Sequence, residues 1–469
     1  MNLKQLLNKN SIINSAIWYT VGSFVLKGVN FFTVPIFTTL LTTTEIGKVN
    51  IYSTWGAMGA ILIGIGIDGT IGSAKANLEE DEYKEYLSSV LFFATMTFII
   101  IFAMAFIFKG NLANLIGIDE NLIFILVVQS FFSFVISFVS AKFTFDRNHK
   151  AYLSVSFLST ILNIVISISM ILSMSSDKHL GRIYGWAIST IVIGLVLYFK
   201  IILEGKKLVS LKYWKFCLPI ALPLIFHNLS HLLLNQADVI MLQKVTTDSI
   251  VGIYSTIYMM GSILNIIQIA INGAWVPWYY EILKKGDKKE LKQKSGQYII
   301  VFTLLTIMFI LGVPEVIKIF ISNKAYWASI PLVYIVIVGY YFVYLYTFPA
   351  NYQFYMKETK FIALGTITSA LVNIAINWVL IPYMGMYGAA LATLIAYVVL
   401  FSMHFIIVKY KFKHQDFPFK YNLLGIGIVL ITWLVSYILL DYFIIRWGII
   451  ILLLGLSGMV IVKEIKKIS

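Results

Sequence analysis

The reading of this chain turns on Ile12–Leu41, IINSAIWYTVGSFVLKGVNFFTVPIFTTLL. The stretch is almost wholly apolar and holds one lysine, Lys27, near its middle. A helix rising about 1.5 Å per residue crosses a ~30 Å hydrocarbon core in about twenty residues, so this segment is long enough to span with tilt. Lys27 lies too far from either end to snorkel easily. A charge at that depth costs several kcal/mol unless it faces protein or water. The apolar pattern therefore asks for a membrane, and the lysine asks for a polar cavity. Thr20, Ser23, Lys27 and Asn30 follow at helical spacing and share one face.

Composition extends that reading to the whole chain. Of 469 residues, 59% are hydrophobic and 12% charged, and mean hydropathy is +0.86. Soluble domains carry about 25% charge. An all-α integral membrane protein is expected, with little soluble mass. The apolar core of the first segment is too long for a signal peptide and no small-residue cleavage site follows it, so it is expected to stay as the first span. The single cysteine, Cys217, excludes an intramolecular disulfide and a cysteine-based metal cage. No His-Glu-x-x-His or Gly-x-x-x-x-Gly-Lys-Ser/Thr string occurs, so neither a metal nor another cofactor is expected. The net charge of +14 resides mainly in short loops, which points to topology and anionic lipid rather than nucleic acid.

Fourteen spans are predicted, at about 12–41, 46–72, 88–108, 122–141, 151–174, 184–203, 214–242, 250–280, 298–321, 329–350, 361–381, 387–408, 422–440 and 444–462. Of the 36 Lys and Arg, 27 then fall on the side of the termini, eight on the other, and Lys27 within a span. That asymmetry places both termini in the cytoplasm. The basic run Lys284–Lys294 reads as a solvated topology determinant or a contact for lipid phosphates. Trp275, Trp278, Tyr279 and Tyr280 before it read as an aromatic belt at the inner interface. Pro277 is expected to kink the eighth span, as Pro35, Pro219 and Pro223 bend the first and seventh.

An internal repeat sets the architecture. Ile51-Tyr-Ser-Thr54 recurs as Ile253-Tyr-Ser-Thr256. Lys150, Asn163 and Ile164 match Lys360, Asn373 and Ile374; Tyr184-Gly185, Ala187 and Thr190 match Tyr387-Gly388, Ala390 and Thr393. A longer outer loop, Ser173–Arg182, accounts for the change in offset. Three matches in order imply two parallel six-helix bundles, 1–209 and 210–408, with two further helices in 409–469. Transporters with such repeats bind substrate near the midplane.

By this symmetry the seventh span is the counterpart of the first. It carries His227, His231, Asn235 and Asp238 on one face. Two polar stripes then face a wet, partly cationic chamber. Lys27, Thr20, Asn30, His227, His231, Asn235 and Gln268 are the candidate substrate-binding residues, and His227, His231 and Asp238 the candidates for a coupling ion. Gln129 and Gln268 also read as interhelical ties. Asp68 reads as interfacial, and Asn163 and Asn373 as packing residues.

Several strings resemble one family. Glu45-Ile-Gly47 resembles the Glu-aromatic-Gly that opens the second span of polysaccharide flippases, with Ile46 departing from the aromatic. Asp238-Val-Ile-Met-Leu242 and Val251-Gly252-Ile253-Tyr254-Ser255 resemble their seventh-to-eighth span junction. Asn373-Ile-Ala-Ile-Asn377, Ile381-Pro382 and Gly385-Met-Tyr-Gly388-Ala-Ala-Leu-Ala-Thr393 are similar to the family's N-x-x-x-N, I-P and G-x-x-G-A-A-x-A-T string. Over about residues 10–460 the chain is identified as a member of the multidrug/oligosaccharidyl-lipid/polysaccharide (MOP) exporters, in the branch of Wzx-type flippases. The resemblance implies a MATE-like fold and cations lining a cavity on spans one and seven. It also implies a substrate, a polyprenyl-diphosphate-linked oligosaccharide, moved from the inner to the outer leaflet of the bacterial cytoplasmic membrane by alternating access. Membrane lipids and polysaccharide assembly proteins are the implied partners.

Two rivals stand beside it. A MATE-like multidrug or cation antiporter on the same fold would need acidic or aromatic cavity residues, whereas the midplane ionisable groups here are a lysine and histidines. A membrane polysaccharide polymerase or ligase would carry a sizeable catalytic outer loop. The longest one here, about 109–121, offers Asp119-Glu120 without a nearby histidine or arginine, so the chain is not expected to be an enzyme.

Overall fold

The computed structural model describes residues 22, 28–29, 31–414 and 419–468, with side chains as far as 455. Lys27, Thr20, Ser23 and Asn30 lie outside the described residues. Among those described the protein is helical throughout, without strands. Among the described residues eleven helices are long and apolar enough to cross a membrane, or twelve with a bent pair taken as one span.

The helices are α1 Val34–Leu40, α2 Thr43–Gly64, α3 Ile71–Asn77, α4 Glu80–Ile107, α5 Lys109–Ile116, α6 Glu120–Phe145, α7 His149–Ser173, α8 Lys178–Gly205, α9 Leu211–Val245, α10 Asp248–Gly261, α11 Ile263–Lys285, α12 Lys288–Phe320, α13 Ile330–Tyr355, α14 Thr359–Met384, α15 Met386–Ile406, α16 Phe419–Ile438 and α17 Phe443–Ile468. They form two compact units, residues 1–252 and 253–469. The first unit thus takes in α9 as well as the elements before residue 209.

In the first unit, α6 is the central helix. It packs on α2, α4 and α8, and its buried face runs from Leu122 to Phe143. Polar ties stitch these apolar contacts together, because a buried hydroxyl or amide in a membrane protein must find its partner inside the protein. Gln129 on α6 accepts from the Tyr52 hydroxyl on α2 at 2.7 Å, which is the interhelical role its sequence position suggested. Large apolar side chains such as Phe106, Ile107 and Leu203 are exposed, as a lipid-facing surface allows.

The second predicted span is not straight. α2 ends at Ile65 and Gly66, both left-handed at φ 49° and 72°, and the chain resumes in a 3-10 turn at Ile67–Thr70. The axis bends by 51° across this break. A Cβ on Gly66 would fall 2.6 Å from the Ala221 carbonyl oxygen, so only glycine admits α9 at the bend. The predicted outer loop at 109–121 contains a short helix, α5. Likewise α8 starts at Lys178, so Arg182 is helical and not part of a loop.

In the second unit α13 is the central helix. It is buried on every side from Ile330 to Gln353 and packs against α11, α12, α15 and α16. The eighth predicted span is interrupted at Ser262, between α10 and α11, while Pro277 lies inside α11. Trp275 and Tyr279, one turn apart, are core residues rather than an interfacial belt. They are 2% and 0% exposed, and Trp275 packs on Tyr298 and Phe348.

The matched asparagines both fix helix hairpins. Asn373 on α14 donates to the Thr393 hydroxyl on α15 at 3.1 Å and accepts from Asn377 at 3.0 Å. Asn163 on α7 accepts from Arg182 on α8. Glycines at matched sites bring each hairpin's backbones together: a Cβ on Gly185 would lie 2.4 Å from Ser167 Cα, and one on Gly388 2.6 Å from the Leu380 carbonyl oxygen.

Candidate functional site

Helix α9 carries the polar stripe that the sequence singled out. It is 35 residues long and has Pro219 and Pro223 in its first half. Each proline removes one backbone donor and loosens the ladder a turn before it. The bend of α2 packs there: Gly66 lies against Ala221, and Gly69 against Leu224. A broken helix and a proline-softened helix therefore share one contact inside the first unit.

Beyond that contact the stripe changes character along α9. His227 and His231 are exposed. Asn235 is half-buried, and its amide donates to the His231 carbonyl at 2.7 Å. Asp238 is 3% exposed, and one carboxylate oxygen accepts from the Val239 N–H at 2.9 Å. Neighbouring Gln236 accepts from the Thr54 hydroxyl of α2 at 3.2 Å. The two histidines thus stand open one turn apart, while the carboxylate is enclosed within the unit. Gln268 is buried in α11 of the second unit.

Asp68 sits in the 3-10 turn of the bend and is half-buried, accepting from the Ser137 hydroxyl at 3.4 Å. Beneath it the Thr70 hydroxyl donates to the Ile67 carbonyl at 2.6 Å and lies 2.6 Å from the Tyr86 hydroxyl. Cys217, on α9, is buried 3.7 Å from the same hydroxyl. These contacts fix the bend as a built element.

The Glu45-Ile-Gly47 string has a physical account. Thr42 and Glu45 form a reciprocal capping box: the Thr42 hydroxyl accepts from the Glu45 N–H at 3.2 Å, and the carboxylate accepts from the Thr42 N–H at 2.9 Å. Gly47 removes the side chain where α2 meets the first turn of α10, and the Thr43 and Ser249 hydroxyls meet there at 2.7 Å.

Sequence reasoning passed over Arg182. Its Nη1 donates to Asn163 Oδ1 at 2.5 Å and to Ser167 Oγ at 2.7 Å. The guanidinium carbon lies 4.2 Å from the centre of the Phe37 ring of α1. Among the described residues no carboxylate pairs with it. A guanidinium held by neutral acceptors and a ring face keeps its full charge. The available signal was its matched neighbour, Asn163, whose amide oxygen required a donor.

The described residues contain no group of three or more His, Cys, Asp or Glu side chains suited to a metal. In the first unit the arrangement offers exposed imidazoles, a charge-retaining guanidinium and a built bend.

The family model described as polysaccharide biosynthesis protein matches residues 12–283. Two Haemophilus influenzae proteins are similar over most of their lengths. An uncharacterized membrane protein is 24% identical over 405 residues, covering 81% of this chain and 94% of that protein. The Lsg locus putative protein 1 is 23% identical over 411 residues, covering 81% and 95%. Among solved structures, the lipid II flippase MurJ in an inward closed conformation superposes with a TM-score of 0.76 at 16% identity, covering 96% of this chain and 99% of that one. An inward-facing multidrug resistance MATE family transporter of the MOP superfamily gives 0.64 at 14% identity, covering 83% and 96%.

Proposed function

Since the chain belongs to the polysaccharide biosynthesis protein family and has the fold shared by MurJ and the MATE transporters, we propose that it flips lipid-linked oligosaccharides across the bacterial cytoplasmic membrane. The substrate is a polyprenyl diphosphate carrying a polysaccharide repeat unit, taken from the inner leaflet to the outer. Both termini are cytoplasmic in this reading, and residues 1–209 and 210–408 act as its two repeats.

The observation that carries the reading is the pair of exposed imidazoles, His227 and His231, with half-buried Asn235 one turn beyond them on α9. A diphosphate and its sugars do not enter hydrocarbon, because burying unpaired charge costs tens of kcal/mol by ideal Born estimates. A water-accessible path lined by this stripe, with Lys27 and the neighbouring Thr20 and Asn30 of the first span, replaces part of the lost hydration. Lys27 acts as a point charge on phosphate. Asn235 supplies an amide for sugar hydroxyls. The lipid tail stays in the bilayer.

Alternating access needs elements with two arrangements. The α2 bend against α9 and the glycine crossing of α2 with α10 are suited to that role. With the inside negative, each anionic charge moved outward gains about 2.3 kcal/mol per 100 mV. Protonation of His227 or His231, the side-chain type that changes charge near neutral pH, adds a second drive. Asp238 is the third coupling candidate. No step calls for a nucleophile, so the protein acts as a transporter and not as an enzyme.

The test is a headgroup-accessibility assay in proteoliposomes loaded with a polyprenyl-diphosphate oligosaccharide. Wild type is expected to expose the sugar to an external lectin, and Lys27→Gln to expose little. Equal exposure by both would remove Lys27 from the mechanism. Export of organic cations with no movement of glycolipid would replace this function with a multidrug antiporter.

A further inference from the structure

At one end of the first unit, α2, α6 and α8 all begin, and α5 ends beside them. A cavity of about 330 Å³ opens among them. Its polar lining is Lys48 of α2, Asn114 of α5, Asp119 at the start of α6 and His179 of α8. The volume is at the low end of the roughly 300–1,000 Å³ of ligand pockets, which admits one or two sugar rings and not a lipid.

Three of these groups are unspent. His179 is 3% exposed, and its Nδ1 has no hydrogen-bond partner. A buried nitrogen in that condition costs about 1–3 kcal/mol unless a bound molecule or water meets it. Asp119 occupies the N-cap position of α6, yet its carboxylate makes no capping bond. Lys48 is half-buried and has no ion pair among the described residues. Of the other acids near His179, Glu45 is already committed to the Thr42 capping box, and Asp177 stands at the N-cap of α8. The wall itself is fixed: Gly117 is left-handed at φ 75°, and a Cβ there would strike Gln243 Nε2 at 2.3 Å. That amide donates to the Ile116 carbonyl, tying the end of α5 to α9.

We propose that this cavity is a saccharide-binding site, taking one or two uncharged sugar residues on the outer side of the membrane. A sugar hydroxyl both donates and accepts, and the lining answers with donors at Lys48 and Asn114 and acceptors at Asp119 and the Asn114 carbonyl. A bare anion meets the Asp119 carboxylate, and a cation meets Lys48, so neither is satisfied alone. The outer placement follows the distribution of lysine and arginine. The assignment rests on the glycolipid-transport reading for its biological ligand, since the exported glycan emerges on this side.

The test uses the full chain in detergent micelles and saturation-transfer NMR with lactose, maltose and chitobiose, with inorganic phosphate as the anionic arm. At least one disaccharide is expected to show saturable transfer that falls five-fold or more in Lys48→Met and Asp119→Asn. Phosphate is expected not to compete. Asn114→Cys provides a check that does not depend on folding of a damaged cavity: the protein is folded first, then capped with a maleimide, while Cys217 stays buried. Capping is expected to abolish the signal. No transfer to any of the three sugars, transfer unaffected by capping, or displacement by phosphate would overturn the site. Absence of sugar binding by the wild type, with glycolipid flipping intact, overturns the cavity alone. Sugar binding without flipping leaves the cavity standing and removes the transport function.

Discussion

Gly47 and Gly252 face each other's helices at backbone contact. A Cβ on Gly47 would lie 1.8 Å from the Asp248 carbonyl oxygen, and one on Gly252 2.0 Å from that of Thr43. No other residue type fits at either position without moving the helices apart. The adjoining Thr43 and Ser249 hydroxyls, 2.7 Å apart, report on this crossing.

If transport requires the crossing to part, fixing it should stop transport. Thr43→Cys paired with Ser249→Cys brings two thiols close to disulfide range, since S–S bonds are about 2.05 Å and Cβ atoms about 3.8 Å apart. Oxidation is expected to cross-link the pair and reduce flipping at least ten-fold, with recovery on adding a reductant. The oxidised single variants serve as controls. Full flipping by the cross-linked protein would mean that this contact stays shut throughout the cycle.

Arg182 offers a second test. Its guanidinium makes two hydrogen bonds through one nitrogen and stacks on Phe37. A planar fork does both at once, and an ammonium does not. Arg182→Lys is expected to lower stability by about 1–3 kcal/mol, and Arg182→Met by at least as much, because Asn163 Oδ1 then loses its donor. Thermal unfolding in detergent reads the difference. A lysine variant as stable as wild type would show that only the charge matters there.

These residues also show what the sequence could and could not disclose. Gln129, Asn163 and Asn373 were legible as ties, because an amide in an apolar run has few other fates. The capping acid Glu45 stands within the family string, and Thr42-x-x-Glu45 before an apolar run is itself a cap signal. Charge marks span ends, so the sequence alone places Arg182 and Lys178 in a loop. Aromatics next to lysines usually mark an interface, so it places Trp275 and Tyr279 there. In a membrane helix the lipid face and the core face are both apolar, so hydropathy gives the span and not its inward side. The break at Ile65–Gly66 had only a glycine to announce it. It depends on α9 packing against Gly66, a contact about 155 residues away in the chain that no local pattern encodes.

Glu315 and Arg446 make a third case, in the second unit. Arg446 is 1% exposed, grips the Glu315 carboxylate at 2.5 and 2.7 Å, and donates to the carbonyls of Leu311, Leu439 and Leu440. Removing one partner leaves a buried charge unpaired, which costs about 3–5 kcal/mol. Glu315→Ala and Arg446→Met are each expected to lower the unfolding temperature markedly. The double variant should be less destabilised than the two single losses combined, because no charge remains stranded. Strict additivity in this cycle would mean that the pair is not coupled.

His227 and His231 set the last expectation. Both are exposed on α9, and protonation adds positive charge to a stripe proposed to meet a diphosphate. Flipping of a diphosphate-linked substrate should therefore speed up as pH falls and either imidazole gains a proton. Replacing both histidines with asparagine keeps polar groups in place and is expected to flatten that profile, while the pull of an inside-negative potential on the anionic head remains. The measurement is the initial rate of headgroup exposure at several pH values, with the potential clamped by a potassium gradient and valinomycin. A double variant that keeps the full pH response would exclude both histidines as the proton site. Asp238, enclosed in the same helix face, would then be the next group to substitute, with asparagine as the replacement.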